Sequence, residues 1–164
     1  MSKRNFVVTS LLAAALATSA FAQTTTTTTT STRTFSFPPV GLGSTETAQV
    51  NVVNMASASS SGTAASCTGS IQFTNASGTV IGKATTFTVA TGQISSVSLP
   101  FGTSGFSGTH GDFVASVTQT VTIPQTAPCD LVVSLETYAT ATGETHAVLT
   151  GQGGGPAYGG GPGR

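Results

Sequence analysis

Ala65-Ser66-Cys67-Thr68-Gly69-Ser70-Ile71-Gln72-Phe73-Thr74 changes character at every step. Cys67, Gly69, Ile71 and Phe73 fall in one phase, and Thr68, Ser70, Gln72 and Thr74 fall in the other. Successive side chains of a strand point to opposite faces, so a two-residue period marks a strand with one buried face. The segment predicts a β-strand whose inner face carries a cysteine. Asn75-Ala76-Ser77-Gly78 follows, and these residue types favour a turn of about four residues.

The same alternation continues on both sides. Residues 79–90 return as a strand with Val80, Ile81, Phe87 and Val89, and Thr91-Gly92 breaks it. Residues 94–101 place Val97, Leu99 and Phe101 in phase. After a Gly- and Ser-rich loop over 102–111, residues 112–123 carry Phe113, Ala115, Val117, Val121 and Ile123 in phase. Pro124 and Pro128 bracket a turn that delivers Cys129, and Leu131, Val133 and Leu135 resume the pattern as far as Tyr138. Residues 145–150 make a short last strand. Upstream, residues 45–55 place Ala48, Val50 and Val52 on one face. Outside the N-terminal segment no stretch sustains a 3.6-residue apolar period. About seven short strands separated by turns predict an all-β fold, an antiparallel β-sandwich. Cys67 on the second strand and Cys129 entering the sixth suit a bridge between two sheets, as in immunoglobulin-like domains, although the chain has no Trp to pack on it.

Residues 1–22 read as a secretory signal peptide. Lys3 and Arg4 precede the apolar run from Phe6 to Ala17, and Ala20-Phe21-Ala22 offers a small-x-small cleavage site. The run is too short for a membrane span of about 20 residues. The expectation is a secreted protein, extracellular or periplasmic, with no stable membrane insertion after cleavage. In such a compartment two cysteines are most simply one disulfide, Cys67–Cys129; a metal pair or a reactive thiol would want His or Cys neighbours that neither residue has. Residues 23–34 hold seven consecutive threonines, Thr24 to Thr30, and read as a linker. Residues 35–150 are the sandwich domain. Residues 151–164 are a Gly/Pro-rich tail that cannot bury enough apolar area to offset its ordering entropy.

Composition narrows the chemistry. Only 6% of residues are Asp, Glu, Lys or Arg. Removing Lys3 and Arg4 with the leader leaves Arg33, Lys83 and Arg164 against Glu46, Asp112, Asp130, Glu136 and Glu144, a net charge of minus two. Nucleic-acid binding needs a row of cations to displace phosphate counterions, so no nucleic-acid partner is expected. His110 with Asp112, and Glu144 with His146, are each two residues apart; a metal site would require both pairs to meet, and solvated loop residues are the commoner outcome. No Gly-x-Ser-x-Gly elbow occurs: Gly102-Thr103-Ser104-Gly105 and Gly105-Phe106-Ser107-Gly108 both miss it. No catalytic residue, metal or cofactor is assigned.

The stretches Phe37-Pro38-Pro39-Val40-Gly41-Leu42 and Thr45-Glu46-Thr47-Ala48-Gln49-Val50-Asn51-Val52-Val53-Asn54 carry a resemblance beyond the alternation. So do Cys67-Thr68-Gly69-Ser70-Ile71-Gln72-Phe73, Val97-Ser98-Leu99-Pro100 and Cys129-Asp130-Leu131-Val132-Val133-Ser134-Leu135-Glu136. Over roughly residues 35–150 the chain resembles a group of uncharacterised secreted proteins of acidobacteria-like soil bacteria. The resemblance implies an exported immunoglobulin-like sandwich with paired cysteines, and it carries over no activity.

Three functions are then expected in descending order. The first is a non-enzymatic structural or interaction module whose neutral Thr- and Ser-rich strand faces hydrogen-bond without strong fields. Its partner would be a protein or a cell-surface polymer. Phe35 and Phe37 alternate with polar residues and read first as the domain's own edge segment; the sharper reading makes them a contact through which an edge strand self-associates or joins a neighbour's sheet. The second is a carbohydrate or cell-wall polymer binding module, with aromatics such as Phe101, Phe106 and Tyr138 exposed at one end and Phe106 the best single contact. The third is a small secreted hydrolase.

Overall fold

The computed structural model describes residues 29–56, 66–123 and 129–154. Residues 1–22, read above as a signal peptide, residues 23–28 of the expected linker, the expected turn at 124–128 and residues 155–164 of the expected tail lie outside the described residues. The described chain forms β1 (Thr29–Ser36), β2 (Val40–Gly43), β3 (Glu46–Asn54), β4 (Ser66–Asn75), β5 (Val80–Ala90), β6 (Ile94–Pro100), a helical turn α1 (Phe101–Ser104), β7 (His110–Ile123), β8 (Leu131–Ala139), β9 (Thr145–Thr150) and β10 (Gln152–Gly154). The strands build two antiparallel sheets. One runs β10-β1-β7-β4-β5, with β2 also paired to β7, and the other runs β6-β3-β8-β9. The seven strands expected from alternation are β3 to β9.

Three further strands lie outside those seven, and only the Phe35 end of β1, read as an edge segment, had any apolar alternation to announce it. Residues 29–34, expected as the end of a linker, are instead most of β1. Their backbone pairs with β7 from Thr29↔Ile123 to Ser36↔Ser116, so the ladder, and not a buried stripe, holds them. Pro38 and Pro39 then supply no N–H, and the ladder against β7 breaks there. It resumes as β2, from Val40↔Phe113 to Gly43↔His110. The first residues of the expected Gly/Pro tail also pair, as β10, with Thr34, Phe35 and Ser36.

The inner faces interdigitate as the period-two reading requires. Ile71 and Phe73 of β4, Ala115 and Val117 of β7, Val50 and Val52 of β3, and Val133 and Leu135 of β8 are all buried in one cluster. Phe73 and Phe113 meet with ring centroids 5.9 Å apart. Each such side chain contributes about 1.5–3 kcal/mol relative to exposure. Gly69 faces inward where a side chain cannot fit: a Cβ there would lie 2.2 Å from the Thr118 carbonyl oxygen and 2.7 Å from the Phe87 ring. Phe87 is its cross-strand partner and covers the gap.

Cys67 of β4 and Cys129, just ahead of β8, form a disulfide with Cα atoms 5.5 Å apart. The bond ties one sheet to the other, and the buried Gln119 amide donates to Cys129 Sγ at 2.9 Å. A second tie was not expected from sequence. Asn54 at the end of β3 is fully buried; its amide donates to the Val89 carbonyl of the other sheet, and its Oδ1 accepts from the Ala56 N–H at 3.1 Å. Gly92 also donates its N–H to the Asn54 carbonyl, so the β5–β6 corner is pinned to β3.

Candidate functional site

Phe35 and Phe37, named above as partner contacts, are core residues, exposed by only 4% and 3%. Phe35 sits on β1 with its ring turned inward, and Phe37 donates its N–H to the Ala115 carbonyl. β1 is flanked by β7 on one side and by β10 over its last three residues on the other, so the segment packs within its own chain. Phe106 is half-buried. Its ring lies 5.9 Å from that of the buried Phe101 and covers Gly111, where a Cβ would come within 2.3 Å of it. It therefore anchors the loop after α1 to the core, and Phe101, Phe106 and Tyr138 do not form an exposed aromatic platform.

The ionisable residues form two pairs. His110 Nε2 lies 3.2 Å from Asp112 Oδ1, both well exposed. His146 Nδ1 pairs with Glu46, not with Glu144. Glu46 also accepts from the Gly43 N–H at 2.6 Å. That hydrogen bond, and then the His146 bond, hold the Glu46 carboxyl below its ordinary pKa against a smaller opposing effect of burial. His110 adds a weaker attraction, because β2 brings Gly43 opposite His110. Among the described residues no group of three or more His, Cys, Asp or Glu is arranged to hold a metal ion. No hydroxyl is hydrogen-bonded to either imidazole among them. Among the described residues, two open clefts bear on these groups. One of about 410 Å³ lies where β5 and β6 part, floored by Phe73 and Leu99 with Lys83 at its rim. The other, about 480 Å³, lies beside the Asn75 turn with Pro39 and Asp112 on its walls. In the Asn75 turn, Asn75 Oδ1 accepts from the Ser77 and Thr79 N–H groups, so the Asn-Ala-Ser triplet serves as a turn.

The two outer faces of the sandwich differ sharply. On the four-stranded sheet five polar side chains form one hydrogen-bonded network. Ser96 Oγ donates to Asn51 Oδ1 at 2.6 Å, and Ser98 Oγ donates to Gln49 Oε1 at 3.0 Å. Gln49 and Asn51 both donate to Glu136 Oε1. The apolar Ile94, Val53 and Val132 lie in register beside that network.

The larger sheet presents the other phase of the alternation. Register places Thr32, Thr120, Thr68 and Thr88 side by side across β1, β7, β4 and β5. One step along lies the row Thr34, Thr118, Ser70 and Thr86, and after it Ser36, Ser116 and Gln72. Neighbouring strands stand about 4.8 Å apart, and same-face residues repeat every 6.6–6.8 Å or so along a strand. Among the described residues no side-chain hydrogen bond within the chain engages the hydroxyls of the first two rows. None of these paired positions carries an ionisable group. Thr supplies strand propensity through its branched Cβ, which also restricts χ1 and keeps each hydroxyl in a narrow range of directions. The rows were visible in sequence only as scattered Thr-x-Thr and Thr-x-Ser pairs at 32–34, 68–70, 86–88 and 118–120; register is what aligns them. Compared with known proteins, the chain matches no family model, no curated protein and no solved structure.

Proposed function

We propose that the protein is an exported, non-enzymatic binding module whose working surface is the hydroxyl-bearing outer face of the larger sheet. One observation carries this reading. Two rows of hydroxyls cross four strands in register with no side-chain hydrogen bond to any described residue, while on the opposite sheet Gln49, Asn51, Ser96, Ser98 and Glu136 bond to one another. Spare donors and acceptors on rows that carry no ionisable side chain, with the exposed His110–Asp112 pair lying farther along β7, suit an uncharged, extended partner that repeats on a similar scale. A small polyanion or a charged protein patch would find nothing to pair with there. Export rests on the leader-like residues 1–22, and it accords with a disulfide and with the lack, among the described residues, of any helix long and apolar enough to cross a membrane. The immunoglobulin-like assignment, and with it the resemblance to secreted soil-bacterial proteins, belongs to the same proposal; a cysteine bridge joining the two sheets speaks for it.

The experiment is a sedimentation assay of the exported chain with insoluble surfaces: uncharged cellulose, chitin and polycrystalline ice, and peptidoglycan sacculi, whose stem peptides carry charge. The Thr34→Lys/Thr68→Lys variant places two charges on the face, on strands that are not neighbours. Val148→Lys places one on an exposed position of the opposite sheet. The reading expects binding to at least one surface, retained by the Val148 variant and lost by the threonine variant. Equal binding of all three proteins, or binding of none, would overturn it.

A further inference from the structure

We infer that the ligand of this face is ice, held through the ordered water that the threonine rows impose on the sheet surface. The inference rests on the binding role proposed above and names its ligand.

Three features point to a water lattice rather than to a polymer. The first is periodicity in two directions. The rows Thr32-Thr120-Thr68-Thr88 and Thr34-Thr118-Ser70-Thr86 repeat across strands at about 4.8 Å and along them at 6.6–6.8 Å or so. Both steps are close to oxygen–oxygen repeats on the surfaces of hexagonal ice. A single polysaccharide chain would match one direction only. The second is the composition of each unit. A threonine presents a hydroxyl and a methyl group together, and its stiff χ1 repeats both in the same orientation. The hydroxyl fixes a water molecule, and the methyl leaves its neighbours to hydrogen-bond to one another, which favours a lattice over the disordered shell around a charged side chain. The third is charge complementarity: the paired positions carry no ionisable group, and ice offers none. Sugar recognition by stacking would call for exposed Trp, Tyr or Phe rings, and the described part of this face bears none of them.

Twist sets the scale of the effect. Adjacent strands rotate by about 20–25°, so a flat ice plane meets the two central strands, β7 and β4, more closely than the outer pair. The close contact is therefore confined to about two strands, and inhibition of recrystallisation is the readout.

The test follows the grain size of a frozen sucrose solution during annealing below its melting point, with the full exported chain, the Thr34→Lys/Thr68→Lys variant, the Val148→Lys variant and a Thr68→Ser/Thr118→Ser variant. The serine variant keeps every hydroxyl and removes two methyl groups, so a purely structural role of the face would leave it unchanged. Wild type and Val148→Lys are expected to hold grains small. The lysine variant should need about tenfold more protein for the same effect, because each charge must be stripped of water to approach the lattice. The serine variant should fall between them. Large grains with wild type, alongside threonine-dependent sedimentation on cellulose, chitin or sacculi, would overturn the ice assignment and leave the binding module standing. Large grains with no sedimentation on any surface would overturn both.

Discussion

Replacing Gly69 by alanine adds one methyl group where β4 is closely flanked by the β7 backbone and the Phe87 ring of β5. The added Cβ would lie 2.2 Å from the Thr118 carbonyl oxygen, 2.7 Å from Phe87 Cζ and 2.9 Å from Phe87 Cε1. The ring can turn only against its buried neighbours, and the carbonyl belongs to β7, whose backbone is fixed by β4 on one side and β1 on the other. Both obstacles must therefore move. Forcing an extra methyl into a packed interior typically costs 1–3 kcal/mol, and a backbone obstacle puts this site at the upper end, about 3 kcal/mol. For a domain of this size that corresponds to a fall in Tm of roughly 10–15 °C. The assay is thermal and urea unfolding of the oxidised protein, followed by circular dichroism, with Gly102→Ala as the control. Gly102 lies on α1 with nothing within 4 Å of the added Cβ, so its replacement should change stability by less than about 0.5 kcal/mol. A Gly69→Ala protein within about 1 kcal/mol of wild type would refute the packing of β4 between Phe87 and β7.

Reducing the Cys67–Cys129 bond, which spans 62 residues, should remove about 4 kcal/mol by the loop-entropy relation, read as the shift in urea midpoint with and without reductant; an unchanged midpoint contradicts the bridge. Asn54→Leu leaves the Ala56 N–H and the Val89 carbonyl without their side-chain partner and should cost about 2 kcal/mol, measured the same way. Glu46 titrates below its ordinary value in the folded state, so its stabilising effect is present above the unfolded carboxylate pKa and is lost as pH falls through the folded one. Glu46→Gln should therefore lower stability by about 1 kcal/mol at neutral pH and leave a shallower acid limb in a plot of Tm against pH. Parallel acid limbs in variant and wild type would contradict the Gly43 and His146 contacts.

Strands β3 to β8 were legible because each buries side chains of one phase of a period-two pattern, and Ile71, Phe73, Val117 and Leu135 fall where that pattern puts them; β9, which buries no side chain fully, was legible as the short segment after the turn at 141–143. β1 and β10 were not legible. Thr29 to Thr34 and Gln152 to Gly154 are held by backbone pairing, which leaves no periodic mark on side-chain types. β2 is four residues long and follows two prolines, too short for alternation to register. The bulge in β5 was hidden for a related reason. Between Ile71↔Thr85 and Phe73↔Ile81 the strand carries two more residues than its partner, and the alternation keeps its phase. The Cys67–Cys129 pair was readable from the redox logic of an exported chain. The pairing of His146 with Glu46, and not with its sequence neighbour Glu144, depends on β9 lying beside β8 and β8 beside β3, an order that spacing does not encode. The candidate face was half visible: Thr68 and Ser70 stood out as the polar phase of one strand. Their alignment with Thr120 and Thr118, and then with Thr32 and Thr34, is a fact of register alone.

The account turns on those hydroxyls being spare and in register while the centre of the opposite face, Gln49, Asn51, Ser96, Ser98 and Glu136, is tied into its own network. The most direct measurement is fractional retention on whichever uncharged surface the wild-type protein binds, for single lysine substitutions placed in turn at Thr32, Thr68 and Thr86 and at Ile94, Val132 and Val148. Loss confined to the three threonine positions, with circular dichroism unchanged throughout, is the result expected. Loss that follows the Ile94, Val132 and Val148 substitutions instead would move the working surface to the other sheet and contradict the account.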